Sequence, residues 1–156
     1  MSDLSILLEI LSHGHGLPLP EYATEASSGF DLRAAIEGTI LLEPGTRFLV
    51  PCGFSMKIPK GFEGQIRSRS GLSFNHGIVV LNAPGTIDSD YYGEIKVLLA
   101  NLGATEFELT RGLRCAQMVI APIQKCRFTV ASNLQEEGLS SKNARGVGGF
   151  GSTGVD

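Results

Sequence analysis

The stretch Thr39-Ile-Leu-Leu-Glu-Pro-Gly-Thr-Arg-Phe-Leu-Val-Pro-Cys-Gly-Phe-Ser-Met-Lys-Ile58 indicates the fold class of this chain. It holds three short apolar runs, and Pro44-Gly45 between the first two is a strong turn signal. Short runs bounded by turn residues are typical of β-strands. The runs lie at residues 39–42, 47–50, 54–58, 63–67, 78–81, 94–101, 106–109, 116–122 and 127–130. The pattern predicts an all-β sandwich or barrel.

One segment predicts a short helix instead. Residues 70–76 begin with Ser70, a residue type that favours the N-cap position, and are followed by Gly77, which favours the end of a helix. The apolar residues 1–11 predict a buried first strand, with a short helix as the alternative, because apolar runs of this length are ambiguous.

Length, charge and cysteine content restrict the class of protein. A chain of 156 residues suits one domain with a single core. The net charge of -3 provides no general basic field for nucleic acid or a membrane surface, so a bound anion must be met by local arginines. The N-terminal segment lacks the positive charges of a signal peptide and is too short to span a bilayer. The three cysteines, Cys52, Cys115 and Cys126, are expected to be reduced core thiols in a cytoplasmic protein. The histidines have no zinc-like spacing and are expected at the surface: His13, His15 and His76.

The C-terminal residues Arg145-Gly-Val-Gly-Gly-Phe-Gly-Ser-Thr-Gly-Val-Asp156 contain almost nothing that could pack into a core. Glycines let backbone N–H groups converge on an anion, while Arg145, Ser152 and Thr153 add a charge and two hydroxyl donors. Phe150 offers a face on which a base could stack. The alternative is a disordered Gly/Ser tail. Because the apolar pattern fades before this point, we expect a β domain at 1–140 and a mobile arm at 141–156.

Two further segments carry groups suited to a nucleotide. Arg69 precedes the predicted helix, whose unpaired N–H groups favour phosphate, although two arginines beside a serine are also typical of a solvated edge. The segment 81–95 predicts a β-hairpin with polar residues at its tip. There Asn82 suits the imide edge of uracil, Asp88 could deprotonate a water, and Tyr91 could lie against a sugar. The alternative is that Asp88 and its neighbours only cap a turn.

Five segments in this order resemble the five motifs of the trimeric dUTPase family. They are Ser27-Ser-Gly-Phe-Asp-Leu32, Arg69-Ser-Gly-Leu72, Gly85-Thr-Ile-Asp-Ser-Asp-Tyr-Tyr-Gly-Glu-Ile95, Arg111-Gly-Leu-Arg-Cys-Ala-Gln-Met118 and Arg145-Gly-Val-Gly-Gly-Phe-Gly-Ser-Thr-Gly154. The resemblance implies a jelly-roll-like homotrimer that hydrolyses dUTP to dUMP and pyrophosphate with Mg²⁺. It also implies active sites at subunit interfaces and a C-terminal arm that closes over the nucleotide.

The resemblance assigns roles to individual residues. Asp88 matches the residue that activates water, Tyr91 the aromatic that packs on deoxyribose, and Asp31 a supporting acid behind the site. The matches to phosphate contacts in the folded domain are Arg69, Ser70, Gly71 and Gln117. The other matches to the nucleoside pocket are Asn82, Thr86, Ile87 and the nearby Lys96. The arm residues matched to substrate are Arg145, Phe150, Gly151, Ser152 and Thr153. No direct protein ligand to the metal is expected, since the triphosphate and water would hold it.

Three positions depart from the commonest family pattern: Ser68, Tyr92 and Cys115. Ser68 bears most on function, because many relatives have proline there and the next residue is Arg69. The rival interpretations are a dCTP deaminase of the same fold class, a nucleotide-sensing module without catalysis, and a carbohydrate- or protein-binding jelly roll. Parallel assays of pyrophosphate and ammonia release would distinguish them.

Overall fold

The computed structural model describes residues 4–132. Residues 4–124 belong to one compact unit and residues 125–132 to a second. The first unit contains a 3-10 helix at Ser12–Gly14 and one α-helix, α1, at Ser70–His76. Its strands are β1 Leu7–Ile10, β2 Phe30–Arg33, β3 Thr39–Leu42, β4 Arg47–Lys57, β5 Phe62–Arg67, β6 Ile78–Val80, β7 Gly85–Ile87, β8 Glu94–Asn101, β9 Phe107–Thr110 and β10 Arg114–Pro122.

The strands form two four-stranded antiparallel sheets and a smaller pair. The first sheet has the order β1-β4-β8-β6, the second has β2-β10-β5-β7, and β3 pairs with β9. Alternate residues of both large sheets enter one hydrophobic cluster, which includes Val50 and Val97 from the first sheet and Leu32 and Met118 from the second. The core therefore lies between the sheets, as expected when each sheet buries one face. The all-β prediction is confirmed.

The strongest local signals predicted their elements well. The strands at 39–42 and 94–101 and the helix at 70–76 match the structure residue for residue. Gly77 ends the helix with φ of 69°, a left-handed conformation that favours glycine. Ser70, however, is not the N-cap. Arg69 occupies that position, and no side chain there makes a capping hydrogen bond.

Three other predictions are wrong because strand pairing is not encoded locally. The first strand is not buried: β1 lies at a sheet edge, and Leu7 is 67% exposed. Residues 127–130 form no strand, and Phe128 and Val130 are fully solvent-facing. The segment 81–95 is not a hairpin, since β7 pairs with β5 whereas β8 pairs with β4 and β6. Residues 88–93 instead connect the two sheets.

The cysteine prediction is partly correct. Cys52 and Cys115 are buried, whereas Cys126 is exposed, and none of the three forms a disulfide. A hydrogen bond with the Cys115 thiol, together with burial, raises the pKa of the Cys52 thiol well above its usual value. Across residues 4–132, none of the helices has the length and apolar character needed to cross a bilayer.

Candidate active site

One end of the second sheet brings together polar residues from three neighbouring strands. Gln117 of β10 lies between Asp31 of β2 and Arg67 of β5, in direct register with both. Directly paired residues in a sheet present their side chains on the same face. The residues that flank Gln117 in β10, Ala116 and Met118, are buried, so this face is the outer one.

The carboxylate of Asp31 binds two arginines. Its Oδ1 lies 2.9 Å from Nε of Arg69, and its Oδ2 accepts a hydrogen bond of 3.1 Å from Nη1 of Arg114. Nη1 of Arg69 also donates to the backbone carbonyl of Arg114 at 3.0 Å. A guanidinium has five N–H donors, so three donors of Arg69 are left for a ligand after these two contacts. Asp31 therefore fixes the orientation of the Arg69 guanidinium.

Arg114 is the residue that sequence reasoning missed. It contributes both its guanidinium and its carbonyl oxygen to the contacts that hold Asp31 and Arg69. The signal was present, because Arg114 lies within the quoted segment of residues 111–118. Its partner, however, is 83 residues earlier in the chain, and only the pairing of β2 with β10 brings the two side chains together.

Ser68 anchors the backbone immediately before Arg69 in two ways. Its hydroxyl oxygen accepts the N–H of Val80 at 2.8 Å, and its carbonyl accepts Nε2 of Gln117 at 2.9 Å. Gly29 leaves room for this amide, since a Cβ at Gly29 would lie only 3.3 Å from Oε1 of Gln117. Arg69 is thus presented from a backbone that Ser68 fixes on both sides.

A cavity of about 320 Å³ opens over this cluster. Five of the residues that line it were predicted to belong to the site, whereas Ser27, Ser28 and Arg114 were not. Its lining consists of Ala23, Ser27, Ser28, Gly29, Asp31, Arg69, Ser70, Gly71, Arg114 and Gln117. Two arginines against one carboxylate leave a net positive charge, and the hydroxyls add donors. The cavity is therefore suited to an anion.

The second set of predicted residues lies in β7 and in the segments on either side of it. The amide of Asn82 packs beside Gly85, where a Cβ would be 3.3 Å from Nδ2 of Asn82. The N–H of Tyr91 donates to the carbonyl of Asp88 at 3.1 Å, which closes a turn and leaves the Asp88 side chain exposed. Thr86 is exposed as well, and Ile87 is half-buried.

Tyr91 is held by its own neighbours. Its hydroxyl donates to the carbonyl of Glu94 at 2.9 Å, and its ring covers Gly93. The side chain of Glu94 is 14% exposed and contacts His13 at 2.6 Å and Lys96 at 3.7 Å. His13, which was expected at the surface, keeps 32% of its side chain exposed and packs the rest against this carboxylate. Lys96 lies beside Glu94 with a half-exposed side chain.

The two sets are far apart within one protomer. Gly64 of β5 pairs with Ile87 of β7 in antiparallel register, so Asp88 is level with Glu63. Arg67, which pairs with Gln117 but does not itself line the anion cavity, is four residues further along β5, or about 13 Å at 3.3 Å per residue. A single protomer therefore does not bring Asp88 to the arginine cluster.

The remaining predictions concern the arm and the metal. Arg145, Phe150, Gly151, Ser152 and Thr153 lie outside the described residues. Within residues 4–132, no group of three or more His, Cys, Asp or Glu side chains is arranged to hold a metal ion.

Comparison with known proteins gives matches to one family. The family model described as dUTPase matches residues 16–154. A deoxyuridine 5'-triphosphate nucleotidohydrolase from Rhizobium etli is 56% identical over 147 residues, covering 93% of this chain and 90% of the relative. The corresponding protein of Bartonella henselae is 52% identical over 158 residues, covering 98% of this chain and 85% of the relative.

Solved structures show the same fold. A Staphylococcus bacteriophage 80alpha dUTPase with dUPNHPP is 26% identical, with a TM-score of 0.79 and coverage of 97% of this chain and 99% of the other. The dUTPase of phage phi11, solved with a structural Mg(II) ion, has a TM-score of 0.75 at 22% identity, covering 84% and 99%. Given the family match over most of its length and the close curated relatives, this chain, with its jelly-roll-like fold, belongs to the dUTPase family.

Proposed function

We propose that this protein is a dUTP diphosphatase that hydrolyses dUTP to dUMP and pyrophosphate. The observation that carries the proposal is the cavity in which Asp31 fixes Arg69 beside Arg114, in a chain 56% identical to a deoxyuridine 5'-triphosphate nucleotidohydrolase. Phosphate chains are bound most strongly by charge-assisted hydrogen bonds from a planar guanidinium.

The triphosphate would occupy the cavity at the end of the second sheet. Arg69 has donors left after its contacts with Asp31 and the Arg114 carbonyl, and Gln117 has a second amide hydrogen beyond the one given to Ser68. Ser70 and Gly71 line the same cavity and supply a hydroxyl and backbone N–H groups.

The nucleoside would be recognised by residues of β7 and of the segments on either side of it. Asn82 would pair with the uracil edge, since its amide supplies both a donor and an acceptor. Thr86 and Ile87 would line the pocket, and Tyr91 would pack against deoxyribose and leave no room for a 2′-hydroxyl. Lys96 would act at the edge of this pocket, where it also neutralises Glu94.

Asp88 would act as the general base. It would take a proton from a water that attacks the α-phosphorus in line, so that the new P–O bond forms as the bond to pyrophosphate breaks. A base must lie within hydrogen-bond reach of the water, and such a base typically contributes about 10² to 10⁴ in rate. The exposed carboxylate of Asp88 is accessible to water and substrate.

Mg²⁺ would be carried mainly by the substrate. The described donors fit this arrangement, because Asp31 is already engaged by two arginines and residues 4–132 contain no cluster of ligating side chains. When bound, the ion would neutralise charge that develops on the phosphates. Arg69 and Arg114 would share in that neutralisation.

The register of the second sheet supports active sites between copies of the chain. Since Asp88 lies about 13 Å along β5 from the level of Arg67, one copy would supply the phosphate cavity and another the residues near Asp88. We propose a homotrimer that combines them. The C-terminal arm would complete each site, with Arg145 on phosphate, Phe150 on the base, and Gly151, Ser152 and Thr153 on the terminal phosphate. The reduced cysteines favour a cytoplasmic location.

The first test compares Asp88→Asn with Asp90→Asn, a matched control two residues away that is also exposed. We expect Asp88→Asn to abolish most turnover while keeping affinity for a nonhydrolysable dUTP analogue, because the substitution removes the base and not the binding groups. Asp90→Asn should retain turnover. Equal loss of affinity and rate in Asp88→Asn would contradict the assignment of Asp88.

A second test addresses substrate and arm. Pyrophosphate release should be fast from dUTP and slow from dCTP, dTTP and UTP, and it should require Mg²⁺. Ammonia release from dCTP would favour a deaminase instead. Truncation after Ala144 should leave a folded assembly with severely reduced activity, whereas full activity would refute the role proposed for the arm.

A further inference from the structure

We propose that His13 and Glu94 are positioning residues that determine how strictly the enzyme selects deoxyribose over ribose. The inference rests on the proposed function, specifically on Tyr91 packing against the sugar. It concerns two side chains that neither bind the nucleotide nor lie in the anion cavity, and that act through the backbone of the segment carrying Tyr91.

Glu94 is the centre of this network. Its Oε1 accepts the N–H of Gly53 at 3.0 Å and contacts Nε2 of His13 at 2.6 Å, while its Oε2 lies 3.7 Å from Nζ of Lys96. With three partners and only 14% of its side chain exposed, this carboxylate has a fixed position. A side chain held at that many points also fixes its own backbone.

The backbone of Glu94 in turn fixes Tyr91. The Tyr91 hydroxyl donates to the Glu94 carbonyl, and the ring lies over Gly93, where a Cβ would come 2.7 Å from Cζ of Tyr91. Residues 88–93 lie outside any strand, so no ladder of hydrogen bonds holds this ring in place. Its position depends on the start of β8, where Glu94 pairs with Ser55 and is anchored further by its side-chain contacts.

The N-terminal 3-10 helix delivers His13 to this point. The N–H of Leu11 donates to the carbonyl of Gly53 at 2.9 Å, and Gly14 packs so closely against Gly53 that neither position has room for a Cβ. Gly53 has φ of 75° and lies where the register of β4 with β8 shifts, between Pro51 and Ser55. This irregularity turns the Gly53 N–H toward Glu94.

The chain thus links an N-terminal turn to the Tyr91 ring through one partly buried carboxylate, that of Glu94. A site that rejects a 2′-hydroxyl by crowding needs its aromatic ring placed accurately, because a small displacement admits the extra oxygen. Misplacement by about 1 Å can change a rate by about 10²-fold. Loss of the His13–Glu94 contact should therefore relax selection of the sugar before it affects the chemical step.

The test measures kcat/KM for dUTP and for UTP in His13→Ala and Glu94→Gln, with His15→Ala as the matched control, since His15 is a neighbouring histidine with an exposed side chain. We expect the ratio of dUTP to UTP to fall about tenfold in the first two variants, and to stay unchanged in the control. Thermal unfolding of each variant shows that the protein is folded, and a purely structural role would shift the melting temperature and leave the ratio unchanged.

Tyr91→Ala separates failure of this inference from failure of the proposed sugar contact. If Tyr91→Ala keeps the discrimination, the proposed contact is wrong and the inference is overturned with it. If Tyr91→Ala loses discrimination while His13→Ala and Glu94→Gln keep it within twofold, only the inference is overturned. The inference is supported if all three variants lose discrimination between dUTP and UTP, and if the double variant His13→Ala/Glu94→Gln loses no more than Glu94→Gln alone.

Discussion

Replacing Arg69 with lysine tests the proposed phosphate site without removing its charge. Arg69 uses Nε for Asp31 at 2.9 Å and Nη1 for the carbonyl of Arg114 at 3.0 Å, and its side chain lines the cavity. A lysine has one nitrogen, which cannot hold Asp31 and also present a fork of donors to a phosphate. The variant keeps the charge and loses the geometry.

The expected magnitudes differ sharply for folding and for binding. The ion pair with Asp31 joins side chains that are 27% and 23% exposed, so its loss should change the free energy of unfolding by less than about 1 kcal/mol. Each charge-assisted hydrogen bond to phosphate contributes about 1.5–3 kcal/mol. Loss of one such bond should raise the KM for dUTP by about 10- to 150-fold, at 1.4 kcal/mol per factor of ten.

The assay is steady-state hydrolysis of dUTP together with inhibition by pyrophosphate, which should weaken in parallel with KM. Arg67→Lys is the matched control, because Arg67 lies two residues earlier, is exposed, and donates to the side chain of Gln65. It should change KM by less than about twofold, as expected for a substitution away from the ligand. A KM for Arg69→Lys within twofold of the unmodified protein would refute the role assigned to the Arg69 guanidinium.

Three further predictions follow from individual contacts. Ser68→Ala should lower the free energy of unfolding, measured by urea titration, by about 1–3 kcal/mol, because the N–H of Val80 loses the hydroxyl acceptor that lies 2.8 Å away. A change below about 0.5 kcal/mol, which is typical of a neutral surface substitution, would contradict this prediction. Gly93→Ala should raise the UTP rate relative to dUTP, because its Cβ would displace the Tyr91 ring, and an unchanged ratio would argue against that packing. The pKa of the Cys52 thiol is raised in the folded protein, so above the usual thiol pKa of about 8.5 only the unfolded state ionises. The free energy of unfolding should therefore be constant below that pH and fall above it by up to about 1.4 kcal/mol per pH unit. Cys52→Ala should show a shallower loss of stability between pH 8.5 and 10, and equal slopes would show that other groups cause the loss.

The sequence predicted elements better than it predicted their partners. The strand at Glu94–Asn101 and the helix at Ser70–His76 have strong local signals, namely a long apolar run and a terminal glycine. Alternation identifies a strand face but not the strand beside it. The exposed edge position of β1 and the separation of β7 from β8 into different sheets are therefore properties of the tertiary fold.

The same limit applies to the candidate site. Residue types in short segments identified Asp31, Arg69 and Gln117, and the structure brings these three to one cavity. The sequence could not predict that His13 contacts Glu94, since the two are 81 residues apart and neither belongs to a pattern that specifies the other. Contacts of that kind depend on the packing of the 3-10 helix against Gly53.

Arg69 and Tyr91 are held in position in similar ways. Each lies beyond the end of a strand, after Arg67 in β5 and after Ile87 in β7, where the regular hydrogen bonds of the sheet no longer fix the backbone. In each case an acidic residue near the start of another strand supplies the missing constraint. Asp31 of β2 holds the Arg69 guanidinium directly, and Glu94 of β8 holds Tyr91 through its own carbonyl. Each acid is itself fixed by a basic side chain, Arg114 for Asp31 and His13 for Glu94. Because Asp31 acts through its side chain and Glu94 through a carbonyl that its own side chain helps to fix, conservative substitutions at these supports should alter substrate recognition while the sheets stay intact.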